Sequence, residues 1–445
     1  MSTTAQAADN AAAPGTSVPV VRVRDLRIHF KSKNRLVRAV DGVSFDLNEN
    51  EILGIVGETG SGKSITARSL MGLLPMPPAV IAGGSVTFRP GGVCPFCQGR
   101  GCKTCRSSGN AVCLACGGPG CSECEGTGRP AIDLLNLPQS KMRQLRGLRI
   151  AMIFQDPSKS LNPVLTVRDQ VAEVFFQHRT ADLLADVGGD RALLPVRRAA
   201  HQDARGPERL LLRVPPFRSQ ARGVRRNVDD LVAQALADVQ IANPRKVMES
   251  YPHQLSGGMK QRVMIAQAMA CDPDVLIADE PTTALDTTVQ ARILELIVEM
   301  QKRRRAAVLY ISHDLSVVRM VCDRVGVMYA GQMAEVGPAQ RVFDSPQHPY
   351  TRALLAAVPS VGHPRGRLAA IEGSVPEFTD DAPLCRFHNR CPHSAAVCTS
   401  VEPRLRTVAE AQSVACFGYE SAAELGVPTT DMPDVPKSST TTSVA

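Results

Sequence analysis

The sequence has no apolar run near the 18–20 residues that a membrane-spanning helix needs, and no basic segment leading into an apolar leader core. Neither a signal peptide nor a transmembrane helix is expected, so any membrane attachment must come through partner proteins. Residues 1–19 and 427–445 are rich in Ala, Ser, Thr and Pro and are expected to be disordered tails. Between about 178 and 226 lysine is absent, while eleven arginines and five acids occur. That Arg-rich insertion reads as a solvated, partly disordered loop; the sharper reading is contact with anionic lipid headgroups. The net charge of +8 fits either and permits weak nucleic-acid binding without specifying it. No specific nucleic-acid partner is expected.

What is present is more decisive. Gly57-Glu58-Thr59-Gly60-Ser61-Gly62-Lys63-Ser64 is a complete phosphate-binding loop. Glu51–Val56 before it reads as a short buried strand, and Ile65–Leu74 after it as a helix. A strand, a Gly-rich turn and a helix together aim backbone N–H groups and a positive helix end at one point, which suits a polyphosphate. Lys63 would reach the β- and γ-phosphates, and the Ser64 hydroxyl would bind Mg²⁺. The loop residues through Ile65 are therefore candidate contacts for ATP.

Asp274–Glu280 is an apolar strand ending in two acids. An acidic turn ends many strands, so the pair is weak alone. Downstream of a phosphate loop it gains meaning, because functional groups in parallel sheets collect at carboxyl ends of strands. Asp279 would hold Mg²⁺ and Glu280 would polarise the attacking water. Further on, Leu255-Ser256-Gly257-Gly258-Met259-Lys260-Gln261-Arg262 reads as the opening of a helix whose N-terminus attracts phosphate.

These elements, in this order, resemble the nucleotide-binding subunits of ABC transporters through residues 20–360. The resemblance implies an α/β fold: an ABC-type P-loop ATPase with a RecA-like core, an antiparallel β-subdomain and a helical subdomain, here spanning 20–345. It implies that Gln155, in Ile153–Pro157, contacts Mg²⁺ and senses a membrane subunit. Asp286, in Thr283–Asp286, would report across a dimer, and His313, in Tyr310–Asp314, would contact the γ-phosphate. Phe30 is the candidate for stacking on adenine. Ser256, Gly257 and Gly258 would act on the nucleotide of a partner chain, so a lone chain should hydrolyse ATP poorly.

His348–Pro359 resembles the C-terminal hallmark of the oligopeptide, dipeptide and nickel importer ATPases; Ser160–Pro163 and Tyr251–Gln254 are also typical of that group. This implies transport-coupled hydrolysis at the cytoplasmic face of the membrane. The implied partners are a second, different ATPase subunit, two permease subunits and an external solute-binding protein. The rival reading is a soluble DNA-repair ABC ATPase of the excision type, which also carries zinc inserts. Those have two ABC modules per chain, and this chain has one.

Twelve of the fourteen cysteines fall into two sets. Residues 94–128 repeat Cys-x-x-Cys-x-Gly-x-Gly four times, with Ser107 and Ser108 departing in the second copy, and resemble the DnaJ-type zinc module. Cys94, Cys97, Cys102, Cys105, Cys113, Cys116, Cys121 and Cys124 would make two four-thiolate zinc sites; redox disulfides and an iron–sulfur centre are the alternatives. Cys385, Cys391, Cys398 and Cys416 lie in the C-terminal region 346–426. Their spacing resembles an iron–sulfur signature of some peptide-importer ATPases, implying one 4Fe–4S cluster, with zinc as the alternative. Cys271 and Cys322 lie in apolar contexts and read as packing residues.

Overall fold

The computed structural model describes residues 19–32, 35–92, 94, 129–179, 183, 215–283, 285–358, 371–379 and 384–436. Its strands in chain order are β1 (Pro19–Ser32), β2 (Arg35–Asn48), β3 (Ile52–Val56), β4 (Ala79–Phe88), β5 (Ile132–Asp133), β6 (Ile150–Ile153), β7 (Val275–Asp279), β8 (Ala307–Ile311), β9 (Arg324–Tyr329), β10 (Gln332–Pro338), β11 (Arg406–Ala409) and β12 (Gln412–Val414).

β2, β1, β4 and β5 form an antiparallel sheet in that order. Its buried face is set by alternation: Val23 opposes Phe45, Leu26 opposes Val43 and Ile28 opposes Val40, with bulges keeping the face inward. The second sheet runs β11-β12-β10-β9-β3-β8-β7-β6. From β9 to β6 its pairings are parallel. β3, β7 and β8 are buried at every residue, which is why they read as continuous apolar runs rather than alternating ones.

The helices Val167–His178, Pro215–Asp238, Pro244–Met248 and Gly257–Met269 pack together through Val171, Phe175, Val228, Val232, Leu236 and Val263. Pro215–Asp238 corrects the expected Arg-rich loop at its end. Residues 215–226 belong to a helix that buries Val224, because an apolar stripe there can reach the core. Residues 180–182 and 184–214 lie outside the described residues. The helix after the phosphate loop is Lys63–Leu70, shorter than expected, because Gly72 turns the chain at φ +57°.

The cysteine-rich insertion leaves the antiparallel sheet at Phe88 and rejoins it where Phe88 pairs with Ile132, at the β5 edge. Cys94 is buried; the other seven thiols of this set lie outside the described residues.

The C-terminal region is not an appendage. β12 pairs with β10, Glu335 opposite Val414, so β11 and β12 lengthen the central sheet. The buried Glu335 carboxylate accepts hydrogen bonds from Gln347 N (2.9 Å), His348 N (2.9 Å) and Gln412 Nε2 (2.7 Å). Residues 427–436 correct the expected disordered tail: Val435 is buried and packs close against Gly418, and Val427 and Met432 pack beside Phe417. Apolar residues among the prolines and threonines supply the burial that tail composition concealed. No described helix is long and apolar enough to cross a membrane.

Candidate active site

Four neighbouring parallel strands, β3, β8, β7 and β6, deliver the site residues from their carboxyl ends. β3 leads into the phosphate loop, β8 into Ser312-His313-Asp314, β7 into Asp279-Glu280, and β6 towards Gln155. Residues far apart in the chain therefore meet because their strands are adjacent in register.

The phosphate loop is folded into its cradle. Gly62 precedes the helix at φ +99°, and a Cβ there would lie 2.6 Å from Ala39 O, so only glycine fits. Lys63 Nζ donates to Gly57 O (2.8 Å) and Glu58 O (2.9 Å). Burial lowers its ammonium pKa, opposed by Glu280, Asp279 and Glu58. Ser64 Oγ donates to Asp279 Oδ1 at 2.8 Å, joining the two groups expected at Mg²⁺. Burial raises the Asp279 carboxyl, and the Ser64 hydrogen bond opposes it.

Glu280 is the hub of the opposite wall. Its Oε2 accepts from Gln155 Nε2 (2.8 Å) and Thr283 Oγ1 (3.0 Å), and its Oε1 lies 3.1 Å from His313 Nδ1. Glu280 sits at φ +48°, an unfavourable backbone for a non-glycine residue, held by Glu280 N donating to Ile311 O (2.9 Å). Gln155 is thus hydrogen-bonded to Glu280, and His313 lies within ion-pair distance of the same carboxylate.

The remaining predicted residues sit apart from this group. Ser256 caps the helix Gly257–Met269 by accepting from Met259 N (3.3 Å). A Cβ at Gly258 would lie 2.8 Å from Val289 Cγ1, so its smallness also serves packing inside this chain. Asp286 caps the helix Thr287–Arg304 by accepting from Val289 N (2.9 Å). Phe30, on β1, is partly buried against the core of the antiparallel sheet.

Two contacts escaped the sequence reading. Arg390 clamps the Glu58 carboxylate, and the Tyr350 hydroxyl accepts from Glu58 N (3.0 Å). Nothing local announces a partner 332 positions away. The Tyr350 contact did have a signal, since that residue lies inside the His348–Pro359 segment.

Cys385, Cys391, Cys398 and Cys416 line one small cavity with His348, Phe387, His388, His393 and Phe417. Burial pushes the Cys385 and Cys416 thiols up to about 12, and raises Cys391 and Cys398 as well. Among the described residues no group of three or more His, Cys, Asp or Glu side chains has the geometry to hold a metal ion.

The strand order, the phosphate loop and the Glu280 group together define an ABC-type ATPase. The ABC transporter family model matches residues 40–94 and 126–283, and the model for the C-terminal region of oligopeptide/dipeptide transporters matches 334–398. The chain is 36% identical to the dipeptide transport ATP-binding protein DppD of Bacillus subtilis, covering 93% of this chain and 99% of that protein. It is 38% identical to a probable peptide ABC transporter ATP-binding protein of Sinorhizobium fredii, covering 91% and 96%. Against DppD of Escherichia coli the identity is 35%, covering 89% and 96%. A dimeric ATP-binding cassette solved with ADP and Pi aligns at 20% identity and TM-score 0.45, covering 72% of this chain and 98% of that one. The chain belongs to the family of oligopeptide/dipeptide transport ATP-binding proteins.

Proposed function

We propose that this chain is the ATP-hydrolysing subunit of an importer of peptides or a related solute. The observation that carries the reading is the group built by four adjacent strand ends, with Lys63 and Ser64 on one side and Gln155, Glu280 and His313 on the other. ATP would draw Lys63 from the loop carbonyls to its phosphates. Ser64 and Asp279 would hold Mg²⁺, which would neutralise charge on the phosphates, and Glu280 would turn from Gln155 to the attacking water. Ser256 and Gly258 would face the nucleotide of a second, different ATPase, which makes hydrolysis a switch between closed and open dimers.

The chain would attach to the cytoplasmic membrane face through two permease subunits, with an external binding protein supplying the solute. An open groove beside Gln155 supports that placement: Leu73, Met152, Phe154, Val174 and Met264 line it, and Phe154 stays exposed. The C-terminal region, whose match is to transporters, favours this reading over a repair ATPase.

A 4Fe–4S cluster is proposed at the C-terminal thiols, with zinc as the alternative, on the spacing of Cys385, Cys391, Cys398 and Cys416 and on their lining of one cavity. Among the described residues these thiols do not form a metal-holding group, and a metal would bind their thiolate forms. The repeats at 94–128 are assigned two zinc ions on the pattern of their cysteines.

The decisive experiment reconstitutes the chain with its permease and partner subunits and measures ATP hydrolysis with binding protein and peptides present. Stimulation by di- or oligopeptides is expected. No stimulation by any peptide, with hydrolysis stimulated by duplex DNA instead, would sink the importer reading.

A further inference from the structure

A carboxylate inside a loop that receives a polyphosphate is an electrostatic liability, and Glu58 is that carboxylate. Every polar group of Glu58 is held. Its N–H donates to the Tyr350 hydroxyl at 3.0 Å, its carbonyl accepts from Lys63 Nζ at 2.9 Å, and Arg390 takes both carboxylate oxygens at 3.1 Å each. The two outer anchors come from the C-terminal region. Arg390 has a side chain only 8% exposed, and it also donates to the carbonyls of Ile371, Glu372 and Gly373 and to the Tyr329 hydroxyl at 2.8–3.3 Å. Tyr350 is fully buried, its ring 4.6 Å from Tyr329 and 5.3 Å from Phe387. A planar guanidinium gripping two oxygens while four other acceptors fix its own position is a rigid support rather than a surface ion pair.

We infer that Arg390 is a positioning residue for ATP: it neutralises Glu58 and, with Tyr350, holds the first turn of the phosphate loop in its binding shape. When ATP takes Lys63 from the Glu58 carbonyl, the other two anchors remain, so the loop need not reorganise to receive the phosphates. The C-terminal region is then part of the nucleotide site, whatever it does for solute transport. The inference rests on the reading that Gly57–Ser64 holds ATP.

The test titrates the full-length chain with a fluorescent ATP analogue and Mg²⁺, comparing wild type with K63A, R390A, R390K, E58Q and the E58Q/R390A double variant. R390A is expected to bind about tenfold more weakly, because an unpaired carboxylate then faces the polyphosphate. R390K, which keeps the charge but not the fork, should fall between. Removing the carboxylate should rescue: E58Q/R390A should bind within about threefold of E58Q. A merely structural Arg390 would weaken binding equally in both backgrounds, and that result, or unchanged affinity in R390A, overturns the inference. Should R390A fail to fold, R390K measured with and without E58Q makes the same comparison. Failure of wild type to bind, or binding by K63A equal to wild type, would instead overturn the ATP-site reading.

Discussion

His313 Nδ1 lies 3.1 Å from Glu280 Oε1, across the gap between the ends of β8 and β7. The two residues are 33 positions apart in sequence, yet adjacent strands in register place them side by side. Glu280 also accepts from Gln155 and Thr283, both at Oε2, so these contacts fix the orientation of its carboxylate. The same group that assembles the site thus restrains its base before nucleotide arrives.

Replacing Glu280 with glutamine keeps the shape and removes the base. Turnover of the assembled complex should fall by roughly 10²–10⁴-fold while ATP binding is retained. Single-turnover hydrolysis and nucleotide titration on the same preparation check both halves. Hydrolysis at the wild-type rate would remove Glu280 as the base.

Ser256 caps its own helix by accepting from Met259 N. Ser256→Arg should block ATP-driven dimer closure, seen by light scattering, and leave the nucleotide affinity of the isolated chain within about twofold, since a charge at this exposed helix end is largely screened. Loss of binding by the isolated chain would show that the residue acts within its own chain.

His348 caps the helix Pro349–Ala356 by accepting from Tyr350 N at Nδ1 (3.0 Å), which requires that nitrogen to be unprotonated. Burial lowers its pKa to about 4. Between that value and the ordinary 6.5 the unfolded chain binds the proton and the folded chain does not. The contribution of His348 is therefore fully present above about 6.5 and is lost as pH falls towards 4, by about 3 kcal/mol in all. Glu335 beside it and Asp274, raised to about 6, carry shifts of the opposite sign, so the comparison must be a difference between variants. Denaturant midpoints of wild type and His348→Asn should diverge at pH 7 and converge near pH 4.5. A constant difference across that range would show that the imidazole does not titrate against folding.

Metal analysis and visible absorption of protein purified without air test the thiol assignments together. About two zincs and four irons per chain, with a brown colour bleached by reductant, are expected. Cys385→Ser should remove the iron and leave the zinc. About three zincs without iron would make the C-terminal site a zinc site, and a metal-free protein would remove both.

Short motifs in the sequence determined the nucleotide chemistry. Gly57–Ser64, Asp279-Glu280 and Ser312-His313 need no partner to be recognised, because each packs one strand end, one turn and one functional side chain into a few consecutive residues. Buried strands were legible for the same reason: Ile52–Val56 and 275–278 are continuous apolar runs. What could not be read was anything made by one local pattern meeting another. Composition placed residues 427–436 in a tail, yet Val435 is buried because Gly418 leaves it space. The Arg-rich stretch looked like loop, yet 215–226 turned out helical because its sparse apolar residues face a core supplied by other helices. The C-terminal hallmark told of kinship but not of position. Only the folded sheet, with β12 laid on β10 and Glu335 drawing in Gln347 and His348, brought Tyr350 and Arg390 against Glu58. A single carboxylate in a Gly-rich loop carries no sign of its partner, since the energy of an ion pair depends on distance in space and not on separation along the chain.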